Sequence, residues 1–306
     1  MAESRAVTNR DGNMCIHGRK MDLLTGSLLL RPYVFLFLAA FFVASTLDLG
    51  LRRTLLFGAL VAPMAWAAEV SSIHVGIPFG LYNYTGLTRG QELYVAGIPF
   101  FDPLSFIFLA YAAYCLARRV TRRWASPTAQ SGPSAGFAGA IESWGEAVRS
   151  EPQASDERRK GGEGPLRVPM LAGFFMMMLD VVIDPVAVRG ARWFLGDLFY
   201  YPGGGVYFGV PLSNFAGWWL VGAIGVFAYE TCAGAGRGRG VGRVDAGIAL
   251  YYAVFVFNLA VTGWIREWTL AVVGLALHAL MALAVVTIAR RTPRASLAGT
   301  RGAERV

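Results

Sequence analysis

The stretch TLAVVGLALHALMALAVVTIA, Thr269 to Ala289, decides the fold. It contains no Asp, Glu, Lys or Arg, and its apolar side chains cover every face of the helix they would form. Crossing the hydrocarbon core of a bilayer takes roughly 20 residues of apolar helix. A helix packed on a soluble core instead keeps a polar face, at a period of about 3.6 residues. The stretch therefore reads as a transmembrane span.

Working outward, six more runs of the same kind precede it. The seven expected spans are roughly Tyr33 to Leu49, Thr54 to Val70, Ile98 to Ala117, Pro169 to Val188, Pro211 to Glu230, Ala246 to Ile265, and Thr269 to Ala289. Composition agrees: 55% of the 306 residues are hydrophobic and 16% charged, against roughly 25% charged in soluble domains. The expected fold is all-α, a polytopic membrane bundle of about seven helices. It divides into a polar N-terminal tail (1–30), a first membrane segment of three helices (31–123), a cytoplasmic linker (124–168), a second segment of four helices (169–290) and a basic C-terminal tail (291–306). The first 20 residues hold no apolar core of signal-peptide type, so no cleaved leader is expected. A start at Met14 or Met21 would leave the spans unchanged.

The net charge of +8 gathers in short clusters flanking the runs, which is how membrane proteins set their orientation. With the N-terminus outside, 19 of 28 basic residues fall inside and nine outside, five of those nine ahead of the first span. The expected topology is N-out, C-in. No long basic stripe interleaved with aromatics exists, so nucleic acid is not an expected partner. Cys15, Cys115 and Cys232 make no CxxC pair, so neither a disulfide framework nor a zinc site is expected. The linker is rich in Ser, Pro, Gly, Glu and Arg and reads as a solvated loop, with Gly136 to Val148 as the one candidate interfacial helix. GAGRGRGVGR (Gly234 to Arg243) follows no strand and lacks a Gly-Lys-Ser/Thr ending, so it reads as a flexible basic loop and not a phosphate loop.

Two segments between spans stand out for Gly, Pro, aromatic and polar residues. One runs from Glu69 through PFGLYNYT (Pro78 to Thr85) to GIPFFDP (Gly97 to Pro103). The other runs from DVVIDP (Asp180 to Pro185) through Arg189, Arg192 and Trp193 to YFGVPLSNFAGWW (Tyr207 to Trp219). The topology puts both at the same outer face, where they can form one site. An ionised carboxylate in hydrocarbon costs at least about 2.5–3.5 kcal/mol, so such a group faces a cavity or takes up a proton. Asp180 and Asp184 lie one turn apart on one helix face, and Glu69 closes the second span. Two readings stay open for them. They are anchors between helices or partners of Arg189 or Arg192, or they are protonated acids ready for general-acid work. Asp102 precedes a proline near a span start and is expected to cap the helix. Asp48 and Glu230 sit at the expected cytoplasmic ends near arginines, where a structural role, as anchors between helices or partners of an arginine, is expected. Asn214 reads equally as a cap or as a catalytic amide. Tyr82, Tyr84, Trp193, Tyr207, Trp218 and Trp219 suit either a membrane-interface belt or the walls of a slot for a long apolar substrate, where aromatic faces also stabilise a cation.

The three histidines, His17, His74 and His278, form no HxxxH or HxxHH pair, which excludes a clustered-histidine di-iron oxygenase. His74, beside the first motif, is a candidate proton relay. No GxSxG, dinucleotide fingerprint or P-loop occurs in a fitting context.

In this order, Glu69, PFGLYNYT, GIPFFDP, LDVVIDPVA and YFGVPLSNFAGWW resemble the carotenoid-biosynthesis membrane proteins that include bisanhydrobacterioruberin hydratase and the carotenoid 1,2-hydratases. The likeness covers about Arg31 to Arg291 except the linker. Leu179 stands where the pattern has Trp, and Ser105-Phe106 where it has Ala-Trp. The resemblance implies cofactor-independent addition of water to the terminal double bond of an acyclic carotenoid, giving a tertiary alcohol. Asp180 or Asp184 would then donate the proton, Glu69 or Asn214 orient the water, and Tyr82, Tyr84, Trp193, Tyr207 and Trp218 line the substrate. The expected partners are the carotenoid, membrane lipid and other enzymes of the pathway. Three further readings stand beside it: a membrane prenyltransferase using the DVVID aspartates, a carotenoid cyclase, and a non-enzymatic carotenoid-binding partner.

Overall fold

A computed structural model of the chain describes residues 22–125, 166–233 and 244–291. Gly136 to Val148 and Gly234 to Arg243 lie outside the described residues. Among the described residues, seven helices are long and apolar enough to cross a membrane: α1 (Pro32–Leu49), α2 (Leu51–Val75), α3 (Phe101–Ala125), α4 (Arg167–Ala187), α5 (Leu212–Ala233), α6 (Val244–Trp264) and α7 (Trp268–Arg291). The protein is a multi-pass helical membrane protein. Helix is what lipid dictates, because the hydrocarbon core offers no partner to a free backbone N–H or C=O.

The observed boundaries depart from the expected ones where hydropathy is a poor guide. Helix α2 runs five residues beyond Val70, carrying Glu69 well inside it. The third span starts at Phe101, not Ile98, because Ile98–Pro99 (β3) pairs with Tyr94–Val95 (β2) as a small antiparallel ladder. Residues 22–30, expected as polar tail, are helical. Ser27 in that helix is buried and accepts a hydrogen bond from the Leu93 N–H at 2.9 Å.

Helix α3 is the hub. It is 78% buried across its span, against 17% for α7, and it touches all six other spans. Its sequence explains this: Ala110, Ala112, Ala113 and Ala117 are all buried, and small residues let neighbouring backbones close in. The most extensive helix contact is α4 on α5. A Cβ added at Gly173 would lie 2.3 Å from the Trp219 carbonyl oxygen, so only glycine permits that approach.

The two ends of the bundle differ. At one end the buried Asp48 accepts from both terminal guanidinium nitrogens of Arg118, whose group sits over the Tyr114 ring at 5.2 Å. The expected arginine pairing of Asp48 is thus present. Glu230 serves as an anchor between helices, accepting from the Tyr114 hydroxyl at 3.2 Å. The other end gathers the helix of residues 22–30, the α2–α3 and α4–α5 connections and the α6–α7 turn. Arg31 ties three of these, donating to Leu195 O at 2.7 Å and to Glu92 Oε1 at 3.2 Å. Arg189 and Arg192 both pair with Glu267 of the turn.

Candidate active site

The two motif-rich segments meet. Asn83–Tyr84 (β1) pairs antiparallel with Phe199–Tyr200 (β4), and Thr85 N–H donates to Leu198 O at 2.9 Å. Beneath this ladder the first motif is wedged against α5. A Cβ on Gly217 would stand 2.7 Å from both Pro78 O and the Phe79 ring, and one on Gly80, at φ +91°, would meet Ser213 Oγ at 2.9 Å. The PFG and GW elements are therefore two halves of one contact. Gly217→Ala is expected to cost about 1–3 kcal/mol by overpacking, measured as a lowered unfolding temperature in detergent.

Two cavities adjoin under the loops. The larger, about 90 Å³, is walled mostly by apolar side chains, among them Tyr33, Phe37, Phe108, Ile183, Trp193 and Phe257. The smaller, about 30 Å³, is lined by Glu69, Phe79, Tyr82, Tyr84, Asp102, Asp184, Phe199, Tyr201, Asn214 and Trp218. One water needs roughly 10–15 Å³ of such space, so the small chamber has room for water. Asp102, Asp184, Phe199 and Trp218 belong to both, so the apolar cavity abuts the polar one along a shared wall.

Hydrogen bonds organise the chamber. The Tyr82 hydroxyl donates to Glu69 Oε2. The Tyr84 hydroxyl lies 2.8 Å from the same oxygen and also contacts Asp102 Oδ2. On the opposite side, Tyr201 donates to Asp184 Oδ2 at 3.1 Å and Asn214 Nδ2 to Asp180 Oδ2 at 2.6 Å. The three phenols are in the loops. Burial, then the neighbouring carboxylates, pushes Tyr82 (by Glu69), Tyr84 (by Asp102) and Tyr201 (by Asp184) well above the usual tyrosine range. All three stay protonated donors at neutral pH. Around them the rings form a box: Tyr82 meets Tyr84, Phe199 and Tyr201 at centroid distances of 5.6, 5.6 and 5.7 Å. Trp218 stacks on Phe106 at 4.3 Å and 12°.

Of the residues singled out in the sequence, Glu69, Asp184, Asn214, Tyr82, Tyr84 and Trp218 line the chamber. Trp193 lines the apolar cavity and donates its indole N–H to Val186 O at 3.1 Å. Asp180 is wholly buried behind Asp184 and borders neither cavity, with Oδ1 lacking a partner. Tyr207 also borders neither; its hydroxyl is buried and unpartnered, and its ring packs on Phe208 and Phe215. Asp180 and Asp184 take Asn214 and Tyr201 as partners, while Arg189 and Arg192 turn to Glu267. His74 is exposed and bonds Val70 O of its own helix at 2.8 Å, outside the chamber. Asp102 is a correction: it is the second residue of α3, and its side chain meets Tyr84 instead of capping the helix. Tyr201 and Phe199 carried no sequence signal beyond their place between the motifs.

Carboxyls, phenols and an amide line a small polar chamber that shares a wall with an apolar cavity inside a membrane bundle. A family model described as carotenoid biosynthesis protein matches residues 31–283. The chain belongs to that family. The comparison with curated proteins and that with solved structures found no match.

Proposed function

We propose that the protein hydrates the terminal double bond of an acyclic carotenoid to a tertiary alcohol, working in the cell membrane with its site at the outer face. The observation that carries this reading is the shared wall, where Asp184 and Asp102 face both the apolar cavity and the water-sized polar chamber. The end group would enter the apolar cavity and bring its double bond to Asp184. Proton transfer from the Asp184 carboxyl to the less substituted alkene carbon leaves a tertiary cation on the other. Trp218 and Phe199 line the same wall, and aromatic faces stabilise a cation by about 0.5–2 kcal/mol. A water in the chamber then adds its oxygen to the cation and loses a proton to the Glu69–Tyr84–Asp102 group.

Hydrogen-bond counting supports this division of labour. Tyr84 has one proton but faces two carboxyl oxygens. With Tyr82 donating to Glu69 and Tyr84 to Asp102 each group has a partner, and a proton on Glu69 or Asp102 turns the remaining Tyr84 contact into a hydrogen bond as well. That side of the chamber has a place for the proton that water loses. On the other side, Tyr201 orients Asp184, while Asn214 borders the chamber but gives its amide N–H to Asp180, one helical turn from Asp184, and is assigned to the aspartates and not to the water. The proton taken from water returns across the chamber to Asp184, and the cycle needs only substrate and water.

The prenyl-transfer reading would have the DVVID aspartates reach out for a diphosphate. Here Asp180 borders neither cavity and is held by Asn214, which leaves Asp184 alone of the two to face them. Pigment from a lycopene-producing host expressing the chain tests the proposal. Hydration adds the mass of one or two waters. A gain in isoprene units, an isomer of unchanged mass, or unaltered pigment with both lycopene and a longer acyclic carotenoid would each overturn it.

A further inference from the structure

We infer that the seam between α1 and α6 is the passage through which the polyene body of the substrate leaves the apolar cavity for the lipid. This rests on the reading that the substrate is a long acyclic polyene. Such a chain is about as long as the hydrocarbon core is thick, roughly 30 Å. A cavity of about 90 Å³ takes its end group and no more. The rest must cross a wall.

The walls are unequal. The roof is tied by polar bonds: Arg31 to Leu195 O and to Glu92, and the Trp193 indole to Val186 O. The α3 side is solid, with Phe108 only 3% exposed. Across the α1–α6 seam the buried Val34, Val254 and Asn258 line the cavity, and three rings close it toward the lipid. Tyr33 stacks on Phe257 at 5.1 Å, and Phe37 meets Phe257 edge-on at 5.7 Å. All three line the cavity and all three are only half-buried, so each has cavity on one side and bilayer on the other. On the same two helices Leu36 and Val256 are 68% and 59% exposed, as lipid-facing residues are. Ring rotation about side-chain bonds opens such a wall without breaking backbone hydrogen bonds, and apolar rings suit sliding contact with a polyene.

A photoreactive benzophenone side chain in place of Ala253 tests this. Ala253 is exposed and lies one turn from Phe257 on the same face of α6. Leu275, on the lipid-facing α7 and 53% exposed, is the control position. Each variant is irradiated in phosphatidylcholine vesicles containing lycopene, alone and combined with Asp184→Asn, and the coloured adduct on the protein is quantified. The passage predicts several-fold more adduct at 253 than at 275, in both backgrounds, since binding does not require turnover. Equal labelling at the two positions, or more at 275, would overturn the passage whatever the pigment chemistry. Adduct at 253 without any hydration would uphold the passage and count against the proposed reaction alone.

Discussion

Asp184→Asn is expected to lower pigment conversion by roughly 100- to 10,000-fold, the usual contribution of a positioned general acid. Asn has nearly the shape of Asp and keeps a hydrogen bond with Tyr201, so the bundle should insert and fold as before. What it lacks is a transferable proton at the only carboxyl of the Asp180–Asp184 pair that faces the cavities. Asp180→Asn is expected to lower conversion less, because Asp180 acts on its neighbour from behind. The measurement is conversion rate per amount of folded protein in vesicles. Equal rates for Asp184→Asn and the parent would remove Asp184 from the mechanism, and a larger loss for Asp180→Asn would exchange the two roles.

Trp218→Ala is expected to cost about 3–5 kcal/mol of stability, the range for emptying a buried large aromatic position. Trp218 is 6% exposed, stacked on Phe106 and within 6.0 Å of the Phe79 ring centroid. It also forms the wall common to both cavities, so its loss would merge them. The milder pair Trp218→Phe and Trp218→Leu separates packing from chemistry. Both fill most of the space, but only Phe presents an aromatic face. Loss of about 0.5–2 kcal/mol of cation stabilisation predicts that Leu is slower than Phe by roughly 2- to 30-fold at similar unfolding temperature. Equal rates would mean that Trp218 is a packing residue.

The membrane fold was legible in the sequence because hydropathy reports it directly: seven apolar runs became seven helices, with ends shifted by a few residues. The shifts fall where backbone pairing, and not lipid, decides, as at Ile98–Pro99, which joins a ladder. Convergence of the two motif segments was also legible, since an even number of spans between them returns the chain to the same face. Fine geometry was less so. Asp102 carries the local signature of a cap, an acid before proline at a helix start, and nothing in that pattern reveals Tyr84 across the chamber. The two aspartates of DVVID share a helix face, yet depth alone separates them: one turn places Asp184 at the cavities and Asp180 in the packing against Asn214. Tyr207 belongs to a motif-rich run, but its ring turns to Phe208 and Phe215 and away from both cavities.

The most direct test of hydration is to incubate the purified protein in vesicles with lycopene in water enriched in heavy oxygen, and to read the product by mass spectrometry. The account predicts a tertiary alcohol carrying the heavy isotope, formed at an undiminished rate in the presence of a chelator. A product without solvent-derived oxygen, or one formed only when a divalent metal is supplied, would contradict it.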